Sequence, residues 1–224
     1  MAVPRQLALA LAHAESFARE DFLSSPCNAA ALALIDVWPA WPDRAVVLVG
    51  PEGAGKSHLA AAWADMAGAR LVSARALEQA AVPAALATGA LVVEDIAAGG
   101  FDERALFHLL NLVREEHAFV LLTARTAPVT WPFAIRDLGS RLKALPVVAL
   151  APPDDALLRA VLVKLFADRQ LMVDESIINY VALRIERSFA AARAVVAQLD
   201  TEAMRAKRPL TRALAAEILR ASQP

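Results

Sequence analysis

The sequence is short of cysteine, aromatic residues, excess charge of either sign and long apolar runs, and each shortage excludes something. One cysteine, Cys27, stands among 224 residues. A lone thiol forbids an internal disulfide framework and a cysteine-based zinc cluster, and its expected place is that of a small buried hydrophobe. Aromatics make up only 6% beside abundant alanine, a balance that favours helices. Acidic and basic residues number 24 and 23, so no broad basic field exists to hold nucleic acid non-specifically. No apolar run reaches the roughly 18 residues of a membrane helix. The run Leu7–Ala12 imitates a secretion signal, but it is shorter than the roughly 7–15 apolar residues such a signal carries. The chain is read as cytoplasmic, with no membrane partner.

What is present is apolar mass, 58% hydrophobic against 21% charged. That suffices for a large core in one domain or one domain with a small appendage. After an N-terminal stretch, Asn28–Val37 has helical period and the Trp38–Pro42 segment ends it. Five short Val- and Leu-rich runs follow: Ala45–Val49, Arg70–Ser73, Ala90–Glu94, Phe119–Thr123 and Val147–Leu150. Helical stretches such as Lys56–Ala67 and Asp102–His117 separate them. Apolar strands alternating with helices predict an α/β fold with a five-stranded parallel sheet covered on both faces. Beyond Ala151-Pro152-Pro153 only helices are expected: about 154–170, 174–187, 189–206 and 211–220, with Asp174 as an N-cap. The predicted divisions are an arm over 1–25, an α/β domain over 26–151 and a helical lid over 152–224.

Gly50-Pro51-Glu52-Gly53-Ala54-Gly55-Lys56-Ser57 satisfies G-x-x-x-x-G-K-[ST] at every required position, with a strand before it and a helix after it. Glycines let backbone N–H groups curl around phosphate oxygens, and the helix N-terminus adds partial positive charge. Lys56 would reach the β- and γ-phosphates, and the Ser57 hydroxyl would ligate Mg²⁺. His58 follows directly and is grouped with the loop; otherwise His13, His58, His108 and His117 show no ligand spacing, and structural roles are expected of them. The expected ligand is ATP or ADP with Mg²⁺. Leu91-Val92-Val93-Glu94-Asp95 ends a strand in two carboxylates at the same sheet edge. Glu94 is the candidate metal ligand and Asp95 the candidate catalytic acid. The usual order has Asp first and Glu second, so the inversion makes binding a firmer expectation than fast hydrolysis.

These elements in this order resemble the AAA+ ATPases and, within them, the DnaA-like initiators and their short regulatory relatives of the Hda type. The resemblance is carried by Asp21-Phe22, Ser25-Pro26-Cys27-Asn28, Trp38–Pro42, the P-loop, Glu94-Asp95, Leu121-Leu122-Thr123, Gly139-Ser140-Arg141-Leu142 and the helical tail. It implies a P-loop NTPase core with an all-α lid, without direct sequence-specific DNA binding. Thr123 then looks like a sensor of the γ-phosphate; in the initiators an acid stands two positions later, where this chain has Arg125. Arg141 looks like an arginine finger presented to a neighbouring subunit's nucleotide, with Arg136 as runner-up. The lid's own sensor position falls on Ala190, with Arg193 one turn along the same helix. Gln6-Leu7-Ala8-Leu9-Ala10-Leu11 resembles a peptide that holds the bacterial sliding clamp: extended, it puts Leu7, Leu9 and Leu11 on one side, with the Gln6 amide free to bond a groove's rim. The implied activity is negative regulation of replication initiation, by promoting hydrolysis of DnaA-bound ATP while tethered to the polymerase III β clamp. A homodimer is a further expectation. The alternatives are an autonomous ATPase or helicase loader, and an adaptor that uses nucleotide only for folding.

Overall fold

The computed structural model describes residues 19–97, 99–206 and 208–221. Its centre is a single sheet of strands β1 (Ala45–Val49), β2 (Arg70–Ser73), β3 (Ala90–Ile96), β4 (Phe119–Ala124) and β5 (Val147–Ala149), in the order β2-β3-β4-β1-β5. Every pairing is parallel, with Val49 opposite Ala124 at the carboxyl edge of β1 and β4.

Strand residues alternate between two cores, as the pleat requires. Val47, Val49, Val93, Val120 and Leu122 face α3 (Val82–Leu86), α4 (Glu103–Glu115) and α5 (Arg136–Ala144). Val46, Leu48, Val92 and Leu121 face α1 (Ala29–Asp36) and α2 (Lys56–Ala67). In the second core, Trp41 stacks on Trp63 at 4.9 Å between ring centres, and Trp38 and Phe119 pack edge-on around them. Both faces are covered over β1, β3 and β4, whereas most side chains of the edge strands β2 and β5 remain exposed.

A third core lies within α6 (Asp155–Asp168), α7 (Glu175–Ala182), α8 (Phe189–Ala206) and α9 (Arg212–Ala221), around Leu162, Phe166, Val181, Val196 and Leu199. The helix starts follow from the sequence: Asp154, Asp174, Ser188 and Thr211 each accept a first-turn N–H through a side-chain oxygen, at 2.8, 3.2, 3.0 and 3.3 Å. The helix expected over 174–187 stops at Ala182, because the chain must turn before Ser188 caps α8. α3 and α5 have no counterpart in the sequence reading; both are short, and Pro83 and Gly139 weaken their local helical signal.

The last residues of the expected arm belong to the packed structure. Phe22 is buried, and Asn28, 2% exposed, accepts from the Ser25 N–H and donates to the Leu23 carbonyl, both at 2.9 Å. Ser25–Asn28 is thus a side-chain-locked turn. Cys27 is not the buried hydrophobe expected: it is half-buried, its sulfur 2.8 Å from the Ser25 hydroxyl. Its carbonyl accepts from the Ala151 N–H, fastening this segment to the chain just after β5. Among the described residues, no helix is long and apolar enough to cross a membrane. The clamp-type peptide Gln6–Leu11 lies outside the described residues.

Candidate functional site

The carboxyl edge of a parallel sheet is where loops converge and ligands bind, at the point where successive strands are added on opposite sides of one another. Here that point is β1, flanked by β4 and β5. The loop leaving β1 opens into a cleft of about 660 Å³ between the sheet and the lid helices, within the range of about 300–1,000 Å³ usual for small-molecule sites.

Of the P-loop, Glu52, Gly53, Gly55, Lys56 and Ser57 line this cleft. Gly53 and Gly55 have φ of +73° and +97°, a region side chains rarely enter. A Cβ on Gly53 would stand 2.7 Å from that of Ser188; one on Gly55 would lie 3.1 Å from both Phe22 and Phe189. These glycines are therefore required twice, for the curl of the loop and for the close approach of lid and N-terminal segment. Gly55 caps α2 with no side-chain acceptor, so the first amides of that helix have no intrahelical partner and are available to an anion. The Gly53 carbonyl accepts from the Phe189 N–H at 2.9 Å, a direct bond between phosphate loop and lid.

Lys56 is 7% exposed, and its ammonium donates to the carbonyls of Gly50 and Pro51, both at 2.8 Å. Burial pushes it below the ordinary lysine value; Asp95 opposes this and Arg125 adds to it. The lysine thus lies folded against its own loop, within reach of the cradle.

The two acids of β3 have different surroundings. A bulge interrupts the register between Val93 and Ile96, and Asp95 takes φ +56° and lines the cleft. Glu94 is turned inward, and its Oε1 is buried without a hydrogen-bond partner. Thr123, expected to sense phosphate directly, is 1% exposed and does not line the cleft. Its hydroxyl accepts the Asp95 N–H at 3.0 Å, supporting the strained residue next door. Among the described residues no group of three or more His, Cys, Asp or Glu could hold a metal. Mg²⁺ needs only one or two protein carboxylates beside substrate oxygens; Asp95 and Ser57 line the cleft and suit that modest demand, whereas Glu94, the expected metal ligand, does not line it.

The cleft also has an apolar lining, made by Phe22, Leu23, Val161, Leu165 and Phe189, with His58 edge-on to Phe22 at 5.2 Å. Lys164 reaches across, 3.0 Å from Asp21 and 2.8 Å from Asp168, tying α6 to the N-terminal segment. From α8, both Ala190 and Arg193 face the cleft.

Arg141 does not line the cleft. It sits on α5 with its guanidinium 4.8 Å over Phe107, bonded to the Asn111 carboxamide oxygen and 3.1 Å from Asp137. α4 presents Glu103, Phe107 and Asn111 at four-residue spacing, one side of a helix. Glu103 receives the Ala134 and Ile135 N–H groups at 3.0 and 2.7 Å, and the other two hold Arg141. Spacing along α4 contained this signal; its partner was unreadable without α5. Arg136 opens α5 and is exposed.

The architecture, a five-stranded parallel sheet with helices, is the fold of DnaA domain III and of RuvB. By sequence the chain matches no protein-family model and no curated protein, so its likenesses are structural. It is similar to domain III of the Thermotoga maritima replication initiation protein DnaA: 18% identity, TM-score 0.75, covering 92% of this chain and 96% of that one. A mutant of Thermotoga maritima RuvB aligns at 15% identity and TM-score 0.74, over 92% of this chain and 73% of that one. AMPPCP-bound DnaA from Aquifex aeolicus aligns at 17% and TM-score 0.67, over 84% and 66%.

Proposed function

We propose that this chain binds an adenine nucleotide and regulates replication initiation, acting on a DnaA-type partner's nucleotide as Hda-type regulators do. The observation that carries the reading is the pairing of a complete phosphate cradle with an arginine standing outside it. The cradle, Gly53–Ser57 with Lys56 at its base, opens to a cleft whose apolar lining includes Phe22, Leu165 and Phe189, surfaces suited to a flat base. Binding of AMPPCP by a DnaA of the same fold supports the adenine assignment. When bound with nucleotide, Mg²⁺ supplies charge neutralisation on the phosphate oxygens. Ser57 would offer its hydroxyl to it, and Asp95 its carboxylate.

Arg141 is 30% exposed and held on three sides, which restrains the guanidinium fork before any partner arrives. In a complex its free edge would meet the neighbour's phosphates and stabilise charge developing on the transferred group. Gln6, Leu7, Leu9 and Leu11 are the proposed contact to the sliding clamp, a tether that raises local concentration on replicated DNA. The test is the partner's ATPase rate with clamp and DNA present. The intact chain should raise it, and Arg141→Ala should lose most of that stimulation; undiminished stimulation by the variant would sink the trans mechanism.

Asp95 on the cleft surface favours a second reading, slow turnover of the chain's own ATP. Hydrolysis by the purified chain, abolished in Asp95→Ala and indifferent to clamp, would support it.

A further inference from the structure

The helices α6–α9 carry a cluster of cations that the cleft does not use. Tyr180, on the last turn of α7, has the Arg184 guanidinium 3.7 Å over its ring centre and the Arg212 guanidinium 5.6 Å from the same centre. Arg184 follows α7 and Arg212 opens α9, so two segments apart in sequence meet on one ring. Arg184 spends one N–H on the Tyr180 carbonyl at 3.2 Å, which leaves most of its five donors for a ligand. Arg208, also exposed, lies in the short turn before Arg212. None of these residues lines the cleft.

Among the described residues, no carboxylate forms an ion pair with Arg184, Arg208 or Arg212. By contrast, Arg169, Arg187 and Arg205 meet Asp200, Asp155 and Glu202 at 3.9, 2.8 and 3.6 Å. Asp174 interacts with the charge of Arg212, but its own oxygens accept from the Ser176 hydroxyl and the Ile177 N–H. The Tyr180 ring attracts each guanidinium, while the two repel one another within a Debye length, about 10 Å at 0.1 M salt. Bound anions would remove that repulsion. Between 205 and 220 the sequence has five basic residues and one acid, so the field here is positive although the chain as a whole carries −1.

We propose that Arg184 and Arg212, gathered on Tyr180, form with Arg208 a docking site for the sugar-phosphate backbone of duplex DNA, separate from the nucleotide cleft. A small anion answers one guanidinium fork; a chain of phosphates answers all three, and the fork matches phosphate oxygens in pairs. Arg184 occupies a face of the Tyr180 ring, so the ring is no platform for a base and the site reads charge, not sequence. Three such contacts give weak, salt-sensitive binding that keeps the chain near duplex without selecting a site.

The test is fluorescence anisotropy of a short labelled duplex titrated with the intact chain, Arg184→Gln, Arg208→Gln and Arg212→Gln, between about 50 and 200 mM salt. Arg159→Gln, on α6, removes the same charge elsewhere on these helices. All four arginines are exposed, and thermal unfolding verifies that the variants fold. For the intact chain, log K should fall against log salt with a slope of roughly −3, one for each arginine. Each cluster variant should bind roughly tenfold more weakly at low salt, the worth of a charge-assisted hydrogen bond, and its slope should be shallower by about 1. Arg159→Gln should bind as the intact chain does, and duplexes of different sequence should bind alike. No binding by the intact chain at low salt overturns the proposal. A loss in Arg159→Gln equal to that of the cluster variants overturns it too, because net charge alone then acts. Displacement of the duplex by a polyglutamate peptide of equal charge at equal concentration assigns the cluster to an acidic protein and overturns the DNA reading.

Discussion

Lys56 shows at the level of one residue how a site is tuned by its surroundings. Its motif position announces a phosphate ligand, but its burial and its carbonyl partners come from the folded loop. Because burial depresses its ammonium, this lysine loses its proton below the ordinary value of about 10.4. Bound phosphate favours the charged form, so nucleotide binding takes up a proton once the pH rises past the depressed value. Affinity for ADP therefore falls as pH rises, beginning below the range in which an exposed lysine titrates. Titrations from pH 7 to 10 check this; an affinity constant throughout would remove Lys56 charge from the binding. Gly55 makes a related point. The motif demands glycine there for the loop's curl, while Phe22 and Phe189, from distant parts of the chain, leave no room for a Cβ.

At the level of elements, short polar motifs act as fasteners between layers. Ser25–Asn28 resembled a family signature in the sequence; in the fold it is a turn whose buried Asn28 satisfies one donor and one acceptor of the backbone. Asn28→Ala strands both groups, and the cost should be about 1–3 kcal/mol. Denaturant unfolding followed through the Trp41–Trp63 stack would read it, and a change within error would deny the turn its structural role. Glu103, Phe107 and Asn111 on α4 are the corresponding fastener for α5 and Arg141. Thr123 belongs here too: its hydroxyl holds the positive-φ Asp95, so it serves the cleft by positioning a neighbour.

In the whole molecule, the cleft lies between the α/β layers and the α6–α9 helices, and three ties cross it: Phe189 to Gly53, Lys164 to Asp21 and the packing of Phe189 and Phe22 about Gly55. Any ligand filling the cleft contacts both the α/β layers and the α6–α9 helices, so binding should stabilise them together. At about a hundredfold excess over Kd, ADP should add about 2.7 kcal/mol to unfolding, seen as one upward-shifted thermal transition. Lys56→Ala should lose most of that gain. A shift confined to one of two transitions would mean that the lid is not coupled to the nucleotide.

The sequence alone determined whatever depends on contiguous residues: the strand and helix periods, the helix caps, the α/β class and the glycine-rich turn between β1 and α2. Each of these obeys local rules of backbone geometry and hydrogen bonding, which a linear pattern expresses. It left open everything that depends on which strands become neighbours. The order β2-β3-β4-β1-β5 sets Arg125 against Glu52, puts Thr123 beneath Asp95 and lodges Phe22 and Phe189 around Gly55. α5, with its weak local signal, exists because α4 and the sheet give it a surface, and only there does Arg141 acquire its partners. Those contacts join residues far apart along the chain, and packing decided them.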